Sequence, residues 1–220
     1  MPGPTSVDWE KWFSVCRISP LLIPLAFTPD PAIVFQDLER WLEIFNRKPQ
    51  NRSAGRVELL ALLAEFREFR TLYYHRLSYR SRSAARWCSV LRWFWPGQTA
   101  LYLWSSDIGP GLFLQHAFGT AVGAERIGKN CWINQEVSIG FRDATGAPIL
   151  GDNVIVNAGA KVLGRIRVGN NVTIGANAVV VKDVPDDCVV VGVPAYIVRR
   201  RGIRVHEKLG NEGDPDLLTP

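Results

Sequence analysis

No stretch of this 220-residue chain approaches the run of about 18–20 apolar residues that crosses a bilayer, so no transmembrane helix is expected. The most apolar short stretch near the start, 21–27, is punctuated by Pro20, Pro24 and Pro29. The beginning of the chain also lacks the basic flank and apolar block of a secretory leader. Cysteine is sparse: Cys16, Cys88, Cys131 and Cys188 stand far apart, without the paired spacing of a zinc or redox motif. They read as reduced thiols of a cytoplasmic protein. There are three histidines, His75, His116 and His206, too few and too scattered for a metal held by several imidazoles. No nucleic-acid motif with stacking aromatics at fixed spacing accompanies the net charge of +5. The basic residues concentrate between Arg52 and Arg92, which reads first as the solvated face of a helix and second as a face for an anionic partner.

What the chain does have is a beat of six. Leu150, Val156, Val162, Val168, Ile174 and Val180 follow one another at that interval, and four residues after each of the first five comes Val154, Ala160, Ile166, Val172 or Ala178. Helices need apolar recurrence at 3.6 and half-buried strands at 2; six fits neither. It fits a solenoid in which each unit is a short strand plus a corner, three units making one triangular coil. An earlier series, Ile108, Leu114 and Thr120, resumes after a seven-residue step at Ile127, Ile133 and Ile139. The polar segment 141–149 then interrupts it, as a loop pushed out from a corner would.

Ahead of the repeats the pattern is helical. A short amphipathic helix is expected over 8–18, a second over 31–45, a long one over 56–77 with Arg67 and Arg70 in solvent, and another over 83–95. The dense aromatics Trp93, Phe94, Trp95, Tyr102 and Trp104 are expected to pack the helices on the solenoid, with a membrane belt or a subunit contact as the alternatives. After the coils, 198–205 is expected to fold back over the open end, and 210–220 to be disordered. The domain reading is therefore 1–100 helical, 101–200 solenoid and 201–220 tail.

At this point the segments GAKVLGRIRVGNNVTIGANAVVVKDVP and GVPAYIV resemble the hexapeptide-repeat acyltransferases with a left-handed parallel β-helix. Together with the helical first part, IGPGLFLQHAFGTAVGAE is similar to the serine O-acetyltransferase branch; the likeness covers roughly 107–200. The resemblance implies acetyl transfer from acetyl-CoA to a hydroxyl, without a metal, at sites between adjacent subunits of a homotrimer or dimer of trimers. It places the general base at His116, and an imidazole titrating near neutrality suits the task of activating an alcohol. It places CoA against Ala158 and Ala176, with Gly140 and Gly159 close by; Lys182, Arg199 and Arg200 are candidates for its phosphates on charge. If the loop 141–149 occupies no side of the triangle, His116, Gln135, Ala158 and Ala176 form one corner column, the small residues leaving room for the pantetheine arm.

Departures from the family pattern fall on the acceptor side. An aspartate before the histidine is here Gln115, and a second histidine in the interrupting loop is here Ala147. An upstream aspartate that orients the base falls near Leu101, leaving Asp107 or a neighbouring chain as substitutes. The pocket has thus lost charge that an ammonium–carboxylate substrate would use. The expected acceptor is therefore a sugar or polysaccharide hydroxyl, the alternatives being serine or a non-catalytic trimeric scaffold. Peripheral membrane contact stays open, and no nucleic-acid partner is expected.

Overall fold

The computed structural model describes residues 17–210. Most of the helix expected over 8–18 and the tail after 210 lie outside the described residues. The helical part runs through a 3₁₀ turn, Ser19–Leu22, then α1 (Ile23–Ala26), α2 (Ala32–Ile44), α3 (Arg56–Glu65), α4 (Arg67–Arg80) and α5 (Arg82–Phe94). Sixteen short strands follow, from β1 (Leu101–Leu103) to β16 (Ile203–Lys208).

The strands build a parallel solenoid of about five turns with three flanks. One flank stacks β1, β4, β7, β10 and β13; the second β2, β5, β8 and β11; the third β3, β6, β9, β12 and β14, extended by β15 and β16. The beat of six is the cause. Ile108, Ile127, Leu150 and Val168 stack inward on the second flank, and Leu114, Ile133, Val156, Ile174 and Val190 on the third, all essentially buried. At the corner leading into the third flank, Asn130, Asn153, Asn171 and Asp187 take left-handed backbone conformations, with φ of 55–57°. Asn and Asp tolerate that region better than other side-chain-bearing residues. Their side chains also form a ladder between coils, Asn153 Nδ2 donating to Asn171 Oδ1 at 3.0 Å and Asn171 Nδ2 to Asp187 Oδ1 at 2.9 Å.

Two expectations about the coils need correction. Thr120 is not the inward residue of its flank: Val122 pairs with Ile139, eight residues after Leu114, and Ile127 follows five later. A two-residue insertion therefore sits at the corner between β3 (Phe113–Leu114) and β4 (Thr120–Val122), and the corner after β4 is one residue short. The 141–149 segment does lie outside the stack, because β8 (Ile149–Leu150) pairs directly with β5 (Arg126–Ile127) below and β11 (Arg167–Val168) above. At the far end β15 (Tyr196–Arg200) turns back antiparallel on β14 (Cys188–Val191), and β16 continues the hairpin, ending the parallel stack.

The long helix expected over 56–77 is two helices, broken at Phe66 with φ −109° and ψ 115°. Phe66 leaves helical geometry to stack on Phe45 at 4.7 Å and meet Trp41 edge-on at 5.7 Å. The carbonyls that the break frees must find donors. Arg70, expected in solvent, is buried and donates to the carbonyls of Leu63 and Ala64, the latter at 3.1 Å.

Of the late aromatic cluster, Trp95 packs on the core and the Trp104 carbonyl accepts from Tyr79 Oη at 3.4 Å, but helices and solenoid meet chiefly through other residues. Trp41 lies against Phe113 at 4.6 Å, and its Nε1 donates to the Leu112 carbonyl at 2.9 Å. Asp37 and Arg76, both buried, form a two-pronged ion pair at 2.8 and 3.1 Å. Arg76 also donates to the carbonyls of Ile108 and Gly109, while the Gly111 N–H donates to Asp37 Oδ1 at 2.7 Å. Burial pushes the Asp37 carboxyl above its ordinary range, against the opposing pull of Arg76 and the N–H groups of Gly111 and Leu112. Trp93, Phe94, Tyr102 and Trp104 by contrast are exposed.

Candidate active site

The corner between the third and first flanks repeats a simple geometry. In three upper coils the left-handed position is Glu136, Gly159 or Asn177, with φ of 59°, 74° and 57°. The residue just before it accepts from the coil above: Gln135 from the Gly159 N–H, and Ala158 from the Asn177 N–H. Gly159 is required where it stands, because a Cβ there would lie 2.0 Å from Asn177 Oδ1. In the lowest coil the equivalent left-handed residue is Gly119 at φ 64°, and it is Phe118 whose carbonyl accepts from the Glu136 N–H.

His116 and Ala117 are therefore two inserted residues, and the corner column reads Phe118, Gln135, Ala158, Ala176. The expected column headed by His116 is corrected: its head is Phe118, two residues further on. The insertion closes on itself, the Phe118 N–H donating to the His116 carbonyl, and it leaves His116 at φ 49° with an exposed imidazole. No hydrogen-bond partner holds that ring among the described residues. A side chain in the left-handed region costs about 1 kcal/mol or more, here as at the regular corner residue Glu136. The signal in the sequence was the eight-residue step from Leu114 to Val122, hidden because Thr120 mimics the regular beat.

Gln115, beside the base, is fixed: Trp132 Nε1 donates to its Oε1 at 3.1 Å. Trp132 was missed as a contributor, although it stacks directly above Phe113 in the ladder. Leu101 is buried in β1. Asp107 does not orient His116; it lies on the second flank, exposed, with Arg126 Nε 3.7 Å away. Ala158 is half-buried and Ala176 exposed, up the column above Phe118.

The remaining residues sit elsewhere on the chain. Gly140 ends β7 (Ser138–Gly140) at the corner between the first and second flanks, where a Cβ would meet nothing within 4 Å. Ala147 is buried at the base of the loop leaving that same corner. Lys182 follows at that corner two coils beyond, on a cavity of about 270 Å³ shared with Tyr196, His206 and Lys208. Arg199 lies on the third flank, paired in register with Val189, and Arg200 is tied to Glu207 at 2.7 Å. The phosphate candidates are thus not one cluster. A single chain gathers His116, Gln115, Gln135, Ala158, Gly159 and Ala176 at one corner, and Gly140, Ala147 and Lys182 at another.

Parallel coils of six-residue units, carrying a histidine on an inserted corner turn and preceded by five helices, define a hexapeptide-repeat transferase. The family model "Bacterial transferase hexapeptide (six repeats)" matches residues 147–182. A serine acetyltransferase of Staphylococcus epidermidis is 36% identical over 185 residues, covering 80% of this chain and 83% of the relative. The chain belongs to the serine acetyltransferase family. Soybean serine acetyltransferase, solved complexed with serine, superposes with a TM-score of 0.61 at 26% identity, covering 89% of this chain and 85% of that one. A serine acetyltransferase solved with CoA gives 0.55 at 25% identity, covering 86% and 74%. The chain spans about half the length of other curated serine acetyltransferases that it matches, such as those of Synechococcus elongatus and Staphylococcus aureus.

Proposed function

We propose that this protein transfers the acetyl group of acetyl-CoA to a hydroxyl, with His116 as general base. The observation that carries the reading is the inserted turn: an exposed imidazole standing clear of the regular stack, below a corner column whose upper members, Ala158 and Ala176, are small. Neutral imidazole accepts the acceptor's hydroxyl proton as its oxygen attacks the thioester carbonyl. The new C–O bond forms, a tetrahedral oxyanion results, and the C–S bond breaks as the imidazolium returns its proton to the departing sulfur. The N–H groups of Ala117 and Gly119, with no acceptor among the described residues, are the donors available to that oxyanion. The pantetheine arm runs along Ala158 and Ala176.

The two groups of residues on separate corners support a site completed by a second copy. One chain offers its His116 corner, and its neighbour offers the corner of Gly140, the 141–148 loop and Lys182. Closed threefold symmetry satisfies this at every site.

Serine is the acceptor that the relatives' names favour, and it replaces the saccharide as the leading candidate. The saccharide stays as a second reading because Gln115, neutral and held by Trp132, and Ala147, apolar and buried, offer no charge to an amino acid's termini. The test is release of CoA thiol from acetyl-CoA by wild type and His116→Ala, with serine, simple sugars and capsule-type oligosaccharides as acceptors. Turnover with serine that falls by about 10²–10⁴ in the variant is expected. Undiminished turnover in His116→Ala removes the base and the mechanism with it. Turnover with a saccharide alone transfers the assignment to the second reading, and CoA binding without turnover on any acceptor supports a scaffold.

A further inference from the structure

Helix α5 carries two faces. Ala84, Cys88 and Leu91 are buried against the other helices. The opposite face carries Trp93 at 86% exposure, Phe94 at 70% and Val90 at 52%, with Arg82 and Arg86 exposed among them. The helix contains no acidic residue. Neither Arg82 nor Arg86 has a carboxylate partner among the described residues. At one edge Trp87, 39% exposed, stacks on Phe27 at 6.3 Å, which extends the apolar surface onto the segment after α1. The hydrogen bonds and aromatic contacts that dock helices on solenoid leave this face untouched.

We propose that this outward face of α5 docks on an anionic lipid surface. Tryptophan and phenylalanine seat at the boundary between headgroups and acyl chains, and arginines beside them meet lipid phosphates, the pattern of an interfacial helix. The charge of the face selects this occupant over a second copy of the chain. A twofold contact presents the same patch from both sides and would double its positive charge across an apolar interface to which α5 brings no acidic residue. An anionic surface neutralises them. The helix is too short and too charged to cross a bilayer, so the attachment is peripheral and reversible. This inference stands apart from the acetyl-transfer reading, since no residue of α5 belongs to the His116 corner.

The test is co-sedimentation of the full chain with phosphatidylcholine vesicles, with and without phosphatidylglycerol, alongside analytical ultracentrifugation without lipid. Binding to the phosphatidylglycerol vesicles alone, weakened by raised salt, is expected. Arg82→Glu/Arg86→Glu should weaken it by more than about tenfold, since each basic residue near such a surface contributes about fivefold. Trp93→Ser/Phe94→Ser should abolish it while the mass in solution stays that of wild type. The substituted side chains are exposed, so both variants should fold, and an unchanged circular dichroism spectrum checks that they do. Wild type that stays unbound in the presence of phosphatidylglycerol overturns the proposal. So does equal binding by both variants. A mass that drops in Trp93→Ser/Phe94→Ser would reassign the face to a contact between copies.

Discussion

The buried pair Asp37–Arg76 joins the helices to the first coil, and the cost of breaking it can be worked from its contacts. Replacing Asp37 by alanine leaves the Arg76 guanidinium buried with only the carbonyls of Ile108 and Gly109 as acceptors. Removing one partner of such a pair costs about 3–5 kcal/mol. The Gly111 N–H loses its acceptor as well, an orphaned donor worth about 1–3 kcal/mol, part of which overlaps the first term. Asp37→Ala should therefore lose about 4–5 kcal/mol. The double variant Asp37→Leu/Arg76→Met removes both charges and returns apolar volume, leaving neutral groups unsatisfied at a lower cost. It should be at least as stable as Asp37→Ala. Urea unfolding followed by tryptophan fluorescence reads the effect, at one protein concentration because assembly shifts apparent stability. With a slope of about 2 kcal/mol per molar urea, Asp37→Ala should move the midpoint down by about 2 M. A shift below about 0.5 M, or a double variant that loses the sum of the two single losses, refutes the account of the pair as an uncompensated-charge problem.

Burial and the neighbouring Arg76 pull His75 down to about 4 from 6.5, so the folded state holds it neutral. Its stabilising contribution is complete above pH 6.5 and is lost as pH falls towards 4, on the order of 3 kcal/mol over that window. His75→Phe should flatten unfolding free energy between pH 6.5 and 5; an unchanged slope rejects the assignment. Cys88, Cys131 and Cys188 are buried, and burial raises the thiols of Cys88 and Cys131, the latter to about 12. All three should resist alkylation in the native protein and react in urea, as read by mass spectrometry of peptides. Ala176→Trp fills the exposed end of the corner column without touching the core, and should raise KM for acetyl-CoA at least about tenfold with little change in stability. An unchanged KM places the pantetheine arm elsewhere.

Reading from sequence succeeded where one physical constraint repeats and failed where constraints meet once. Each inward residue of the upper coils, from Leu150 to Val180, stacks in the register that the six-residue beat requires, because a shift would expose a whole row. Phe66 broke a helix that local pattern favoured because a contact with Phe45, distant in sequence, outweighed a turn of helical hydrogen bonds, with Arg70 recruited to satisfy the freed carbonyls. The His116 corner was half legible. Its exposure followed from counting units, but the count concealed a two-residue insertion, since Thr120 is buried like a regular residue while Val122 holds the inward place. That difference bears on function. A histidine at a regular corner position would be tied to the coil above through its carbonyl, as Gln135 and Ala158 are. On an inserted turn it stands clear of the stack, free to meet a substrate held partly by another chain. The same logic explains why Asp107, nine residues before His116, offers no help: that length of solenoid places it on a different flank, beside Arg126.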